Sequence, residues 1–196
     1  MSTTRCSYPS ILFAVLTFVF ASSITAVAQQ EELKIKNFGQ MDDRFYRGGQ
    51  PKEEDYRHLA AIGIKTIIDL RNDPKEYEKR EAEEFGMRYI NIPMSDKAYP
   101  QTSAIDQFLK LVDDPSTGKF FVHCAGGRHR TGVIGAVYRF NHYNWNYEQV
   151  YAEMKKYDFY TRWGHGNMKK FVKDYALTFE NRAATAAAAV TTTINQ

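Results

Sequence analysis

The ten residues His123-Cys-Ala-Gly-Gly-Arg-His-Arg-Thr-Gly132 set one thiol and one guanidinium at a Cys-x5-Arg spacing, with two glycines between them. A thiol is a useful nucleophile toward phosphorus only as its anion, and inward-aimed backbone N–H groups at the start of a helix stabilise that anion. Free cysteine titrates near about 8.5, and such surroundings lower it to roughly 3.5–7.5, so the thiolate would predominate at neutral pH. The same amides can hold the non-bridging oxygens of a phosphate, while Arg130 offers a planar two-donor fork to two of them. Gly126 and Gly127 suit a tightly curved ring that approaches an anion closely, which makes Ala125, Gly126, Gly127, Arg128 and His129 the expected anion-binding stretch. Thr131 stands at the helix entry, where its hydroxyl can donate to the Cys124 sulfur and stabilise it as a leaving group. His123 precedes the cysteine in an extended strand, so its side chain should point to the other face, as a buried orienting residue and not as a base.

These residues need a strand to deliver the cysteine and a helix to receive the arginine. Lys119-Phe-Phe-Val-His123 reads as that strand, and Thr131 to Arg139 as that helix. Upstream, Phe38 to Arg47 reads as a short strand or hairpin, broken by Gly48-Gly-Gln-Pro51. A helix over Lys52–Ile62 stops at Gly63, and the β-branched run Ile64–Leu70 suits a central strand. Glu76–Phe85 is predicted as a charged helix, Met87–Ile92 as a strand, Pro93–Pro100 as a surface loop and Thr102–Val112 as a helix. Trp145–Tyr157 and His165–Phe179 carry two further helical patterns, and the run from Ala183 onward has low complexity and no amphipathic stripe, as a frayed tail would. Strands alternating with helices predict an α/β fold, with a central, mostly parallel sheet flanked by helices and the pocket at the carboxyl ends of the strands.

The N-terminus carries Arg5, the apolar run Ile11–Ala21 and the small-residue site Ala26-Val-Ala28, which is the pattern of a secretory signal peptide cleaved after Ala28. The alternative, an uncleaved anchor, is disfavoured because the run is short for a span of about 20 residues, and no second apolar span follows. The expected organisation is a signal peptide over 1–28, one catalytic domain over 29–182 and a low-complexity tail over 183–196, in an exported protein that is periplasmic or secreted and monomeric. Cys6 leaves with the leader, so the exported chain would keep Cys124 alone and form no internal disulfide. A formal net charge of +3 gives no ground for expecting a nucleic-acid partner. The single remaining cysteine and scattered histidines form no convincing metal-ligand cluster, so neither metal nor cofactor is expected.

His123-Cys-x5-Arg130-Thr131-Gly132 resembles the signature of the protein tyrosine phosphatase superfamily, in its compact dual-specificity branch. Phe45-Tyr-Arg-Gly-Gly-Gln-Pro51 and Thr66-Ile-Ile-Asp-Leu-Arg71 also resemble bacterial, fungal and plant members of that branch, so the similarity runs from about Phe38 to Phe179. The resemblance implies the three-layer fold of cysteine phosphatases, a phosphocysteine intermediate on Cys124, stabilisation of the transferring phosphoryl group by Arg130, and a leaving-group acid at Asp96. No Trp-Pro-Asp tripeptide occurs, and Ser95-Asp-Lys97 supplies the carboxylate instead. Asp106 is the alternative acid, disfavoured by its place inside a predicted helix. Asp69 is expected to be structural at a strand end, and Arg71 to hold a neighbouring loop or border the pocket.

A Cys-x5-Arg spacing by itself arises by chance, and most free thiols are inert core residues. Here the strand, the glycines, the Thr-Gly exit and the following helix occur together. The Arg-Thr-Gly exit disfavours rhodanese-like sulfur transfer, and the lone thiol disfavours reductases that need a resolving cysteine. The implied activity is hydrolysis of phosphotyrosine or other phosphoprotein groups, with Tyr99, Trp145 and Trp163 as candidate ring contacts. The basic Arg128 and His129 keep an inositol phosphate or phosphoinositide substrate open, and a phosphate-binding module without turnover is the rival from another class.

Overall fold

The computed structural model describes residues 33–194; the expected leader over 1–28 lies outside them. Five strands form one sheet in the order β1-β2-β5-β3-β4: β1 (Gly39–Gln40), β2 (Phe45–Gly48), β3 (Thr66–Arg71), β4 (Arg88–Met94) and β5 (Phe120–His123). Only β1 runs antiparallel to its neighbour; the β2–β5, β5–β3 and β3–β4 pairs are parallel. The helices are α1 (Asp55–Ala61), α2 (Glu76–Glu84), α3 (Thr102–Asp113), α4 (Arg130–Tyr143), α5 (Tyr147–Lys156) and α6 (Gly166–Ile194). The α/β class with a mostly parallel, helix-flanked sheet is as the alternation predicts.

Period-two alternation sorts the strand residues onto two cores. Phe120 and Val122 of β5, with Ile68 and Leu70 of β3, pack with residues of α3 to α6. Ile67 of β3 and Phe121 of β5 pack on the other face with Tyr56 and Leu59 of α1 and Ala82 of α2. Helix α4 is buried from Arg130 through Phe140, which explains why its sequence lacks a one-sided stripe: it is the central helix of its layer.

Several predicted boundaries shift for local reasons. Pro93 should end β4, yet the strand continues to Met94, because the register passes from Asp69–Asn91 to Arg71–Met94 across an irregularity. Asn91 Nδ2 bridges the carbonyls of Asp69 and Arg71 there, and β4 is an edge strand, where proline is tolerated. Helix α6 runs on to Ile194 instead of ending near Phe179; its alanine-rich extension has high helix propensity and contains no glycine or proline to stop it. No helix among the described residues is long and apolar enough to cross a membrane.

Candidate active site

Strand β5 ends at His123, flanked in register by Gly48 of β2 and Asp69 of β3, so Cys124 emerges at the carboxyl edge of the central strands. The loop that follows is held from outside by its carbonyls. Ala125 O accepts from Gln50 N at 3.3 Å, Gly126 O from Asn37 Nδ2 at 2.8 Å and Gly127 O from Arg47 Nη2 at 2.6 Å. Because each peptide unit is planar and trans, three carbonyls turned outward set the amides of Gly126, Gly127 and Arg128 toward the ring interior. Gly127 has φ +68°, and a Cβ there would meet the Gly48 carbonyl carbon at 2.5 Å, so both its backbone angle and its contact with β2 demand glycine. At Gly126 an added Cβ would meet nothing nearer than the Arg128 side chain at 3.9 Å, so the tight-curvature argument holds for the second glycine only.

Cys124 is 4% exposed, at the floor of this ring. Burial pushes its thiol up, but the Thr131 hydroxyl and amide, the Arg130 charge and the Gly126 amide outweigh it, so the thiol is held below its ordinary value. Thr131 Oγ1 is buried without a fully formed hydrogen bond, which leaves the nearby sulfur as the group it can serve. Arg130 opens α4, and its Nη1 is tied to Met94 O at 3.2 Å, Asn72 Oδ1 at 3.2 Å and Leu70 O at 3.5 Å. No hydrogen bond among the described residues takes its Nε or Nη2, so the rest of the fork is available to an anion.

His123 turns to the opposite face of the sheet, as its strand position predicts. Its Nε2 lies 3.0 Å from Glu78 Oε2 and its Nδ1 lies 3.8 Å from Asp69 Oδ1, and all three groups are buried. Neither contact has hydrogen-bond geometry. The ligand atoms of Asp69, Glu78 and His123 fall within 4.8 Å of one another, a convergence that the sequence did not disclose. Each carboxylate already accepts from a backbone amide and a tyrosine hydroxyl: Asp69 from Arg71 N and Tyr89, Glu78 from Lys75 N and Tyr56. These bonds fit a structural acid–imidazole cluster that anchors the end of β5 to β3 and α2. Arg71 joins Asp73 and Gln50 and thereby holds the two loops beside the pocket.

The basic character of the loop is smaller than the residue types imply. Arg128 pairs with Asp158 at 3.3 Å, and His129 is pushed down to about 4 by burial, then by the adjoining His165 imidazole and the Arg128 and Arg130 charges, against a Tyr160 carbonyl bond that raises it. At neutral pH the imidazole therefore adds no charge. Asp96 stands in the exposed stretch after β4. Its carbonyl accepts from His165 Nδ1 at 2.8 Å, and Met94, two residues earlier, accepts from Arg130. Asp106 instead lies on α3 and lines a groove of about 450 Å³ with Tyr99, Phe171 and Asp174, to which no residue of the cysteine loop contributes.

Two of the three candidate ring contacts lie elsewhere. Tyr99 bonds Asp174 on α6, and Trp145 lies beyond the far end of α4, against Arg139. Trp163, 78% exposed and at φ +63°, stands two residues before His165, whose ring stacks on His129. Sequence reading missed Tyr160, whose ring meets His129 edge-on at 4.5 Å and lies 5.7 Å from the Arg128 guanidinium carbon. It also missed the role of Arg47, whose signal was a lone arginine inside a strand of buried residues.

Residues 19–174 match the family PTP-NADK, described as DSP-PTPase phosphatase fused to NAD+ kinase. A Dictyostelium discoideum protein named Probable tyrosine-protein phosphatase DG1060 is 28% identical over 127 residues, 62% of this chain and 75% of that protein. The Saccharomyces cerevisiae inositol diphosphatase SIW14 is 24% identical over 152 residues, 73% of this chain and 53% of that protein. The crystal structure of the core catalytic domain of PP-IP phosphatase SIW14 from S. cerevisiae is similar in fold, with a TM-score of 0.61 at 20% identity over 71% of this chain and 85% of that one. The extent of the family match, together with the parallel sheet and its helical layers, establishes that the chain belongs to the DSP-PTPase family within the protein-tyrosine and dual-specificity phosphatase superfamily of hydrolases.

Proposed function

We propose that this chain is a cysteine-dependent phosphomonoester hydrolase acting on phosphotyrosine or other phosphoprotein groups. The observation that carries the reading is the ring itself: outward carbonyls at Ala125, Gly126 and Gly127, with the Cys124 sulfur and the partly free Arg130 fork inside. In the first step the Cys124 thiolate attacks phosphorus in line, forming the S–P bond as the P–O bond breaks, and Asp96 gives its proton to the departing oxygen. Arg130 and the loop amides stabilise charge on the equatorial oxygens. Water then attacks the phosphocysteine and gives a proton to Asp96, inorganic phosphate leaves, and the thiolate returns with Thr131 beside it.

A second reading, an inositol phosphate or phosphoinositide substrate, draws support from the relative named inositol diphosphatase. Against it, Arg128 is paired with Asp158 and His129 is neutral at working pH, so the loop offers little cationic charge beyond Arg130. Phosphopeptides, inositol phosphates and phosphoinositides assayed at matched concentration would rank the two. Hydrolysis of para-nitrophenyl phosphate in chelator tests the class: activity should be present in the native chain and absent in Cys124→Ser. Activity that survives the substitution would end the cysteine mechanism, and a native chain that binds phosphate without turnover would favour the docking module. Export with cleavage after Ala28 is part of the same proposal, and N-terminal sequencing of the protein recovered outside the cytoplasm checks it.

A further inference from the structure

Residues 95–99, which include Asp96, are exposed throughout, and an exposed loop by itself holds no side chain to the fraction of an ångström that proton transfer needs. Side chains from the segment at the start of α6 reach this loop at two points. His165 Nδ1 lies 2.8 Å from Asp96 O, and Asn167 Nδ2 donates to Lys97 O at 3.1 Å. Within the loop, Ser95 Oγ accepts from the amides of Lys97 and Ala98, which closes a tight turn around the aspartate.

His165 is itself fixed by the cysteine loop. Its ring lies on the His129 ring with centroids 3.5 Å apart and planes 12° from parallel. A carbonyl can only accept, so His165 carries its proton on Nδ1, and His129, bonded to Tyr160 O at 3.1 Å, carries its proton on Nε2. Both imidazoles therefore present donors at their edges while their faces pack. We propose that His165 is a positioning residue for the leaving-group acid: stacked on His129, it transmits the place of the phosphate-binding loop to the backbone of Asp96. This rests on the reading of Asp96 as the acid, and it adds a link from loop to loop that runs through no substrate atom.

The test uses the full chain with His165→Ala, His165→Phe, which keeps a stacking ring but no donor, and His165→Asn, which keeps an amide donor. Each is assayed on aryl phosphates whose leaving groups span pKa values of about 7 to 10, with thermal unfolding measured alongside. The Ala and Phe variants should lose about tenfold or more in kcat/KM on phenyl phosphate and less than about threefold in kcat/KM on para-nitrophenyl phosphate, a ratio that stops at P–O cleavage and so excludes the phosphocysteine hydrolysis common to both. His165→Asn should recover most of the phenyl phosphate loss, and His165→Ala should cost nothing further in an Asp96→Asn background. Equal losses on both substrates, or losses that add to those of Asp96→Asn, would overturn the proposal. Should Asp96→Asn itself show no leaving-group dependence, the acid assignment falls and the proposal with it, a result that the single variants distinguish from failure of His165 alone. Because His165 immediately precedes α6, Asn167→Ala provides a second probe, expected to give a smaller loss of the same selectivity; a uniform loss there also counts against the tether.

Discussion

At Cys124 two effects oppose each other, and their balance decides what the residue can do. Removal from water favours the thiol, whereas the Thr131 hydroxyl, the Thr131 and Gly126 amides and the Arg130 charge favour the anion, and these together prevail. The same loop holds His129 with its proton lost at about 4 against an ordinary 6.5. Between those values the unfolded chain binds more protons than the folded one, so stability should rise with pH from about 4 to 6.5 and be complete above it. After allowance for solvent screening of this half-buried ring, the effect is about 1–2 kcal/mol. Urea midpoints for the native chain and His129→Gln check it: the native chain should lose more stability between pH 7 and pH 4.5 than the variant. Cys124 and Arg130 were legible because their spacing is local, whereas the muted charge of Arg128 and His129 depends on Asp158, Tyr160 and His165, which arrive from another segment.

Among the elements, the contact between the cysteine loop and the end of β2 sets the ring's shape. Gly127→Ala would push a methyl into the Gly48 backbone at a left-handed φ, and should cost about 2 kcal/mol or more and most of the activity. Gly126→Ala makes only ordinary van der Waals contact with the Arg128 side chain at 3.9 Å and should change stability by no more than about 0.5 kcal/mol. Chemical denaturation of the two variants side by side decides whether the second glycine alone is structurally required. The sequence marked both glycines alike, because curvature can be read from a motif but a neighbouring strand cannot. Similarly, Pro93 was legible as a strand breaker, and only the edge position of β4 and the shifted register with β3 let the strand pass it.

For the molecule as a whole, Arg139 ties three parts of one layer. From α4 it donates to Glu153 of α5 and to the Met41 carbonyl in the β1–β2 turn, and its guanidinium lies over Trp145. Arg139→Met would leave Glu153 largely buried and unpaired, and should lower stability by about 2–4 kcal/mol. Thermal unfolding reads the loss. Since Arg139 lies well along α4 from the cysteine loop, kcat of the folded variant should stay within about twofold of the native value, and a larger fall would mean that the far end of α4 is coupled to the pocket.

By itself the chain's order of residues determined the alternation of strands and helices, the cysteine loop between β5 and α4, and the turn of His123 away from the pocket. Each follows from patterns that span a few neighbours: side-chain period, glycine and proline punctuation, and the Cys-x5-Arg spacing. Tertiary structure alone decided how the loop is held. Asn37 and Gly126 stand 89 residues apart, Arg47 and Gly127 80, and Asp96 and His165 69. No local pattern encodes such pairings, because they exist only once the parallel sheet has brought the ends of its strands to one edge and α6 has packed beside them.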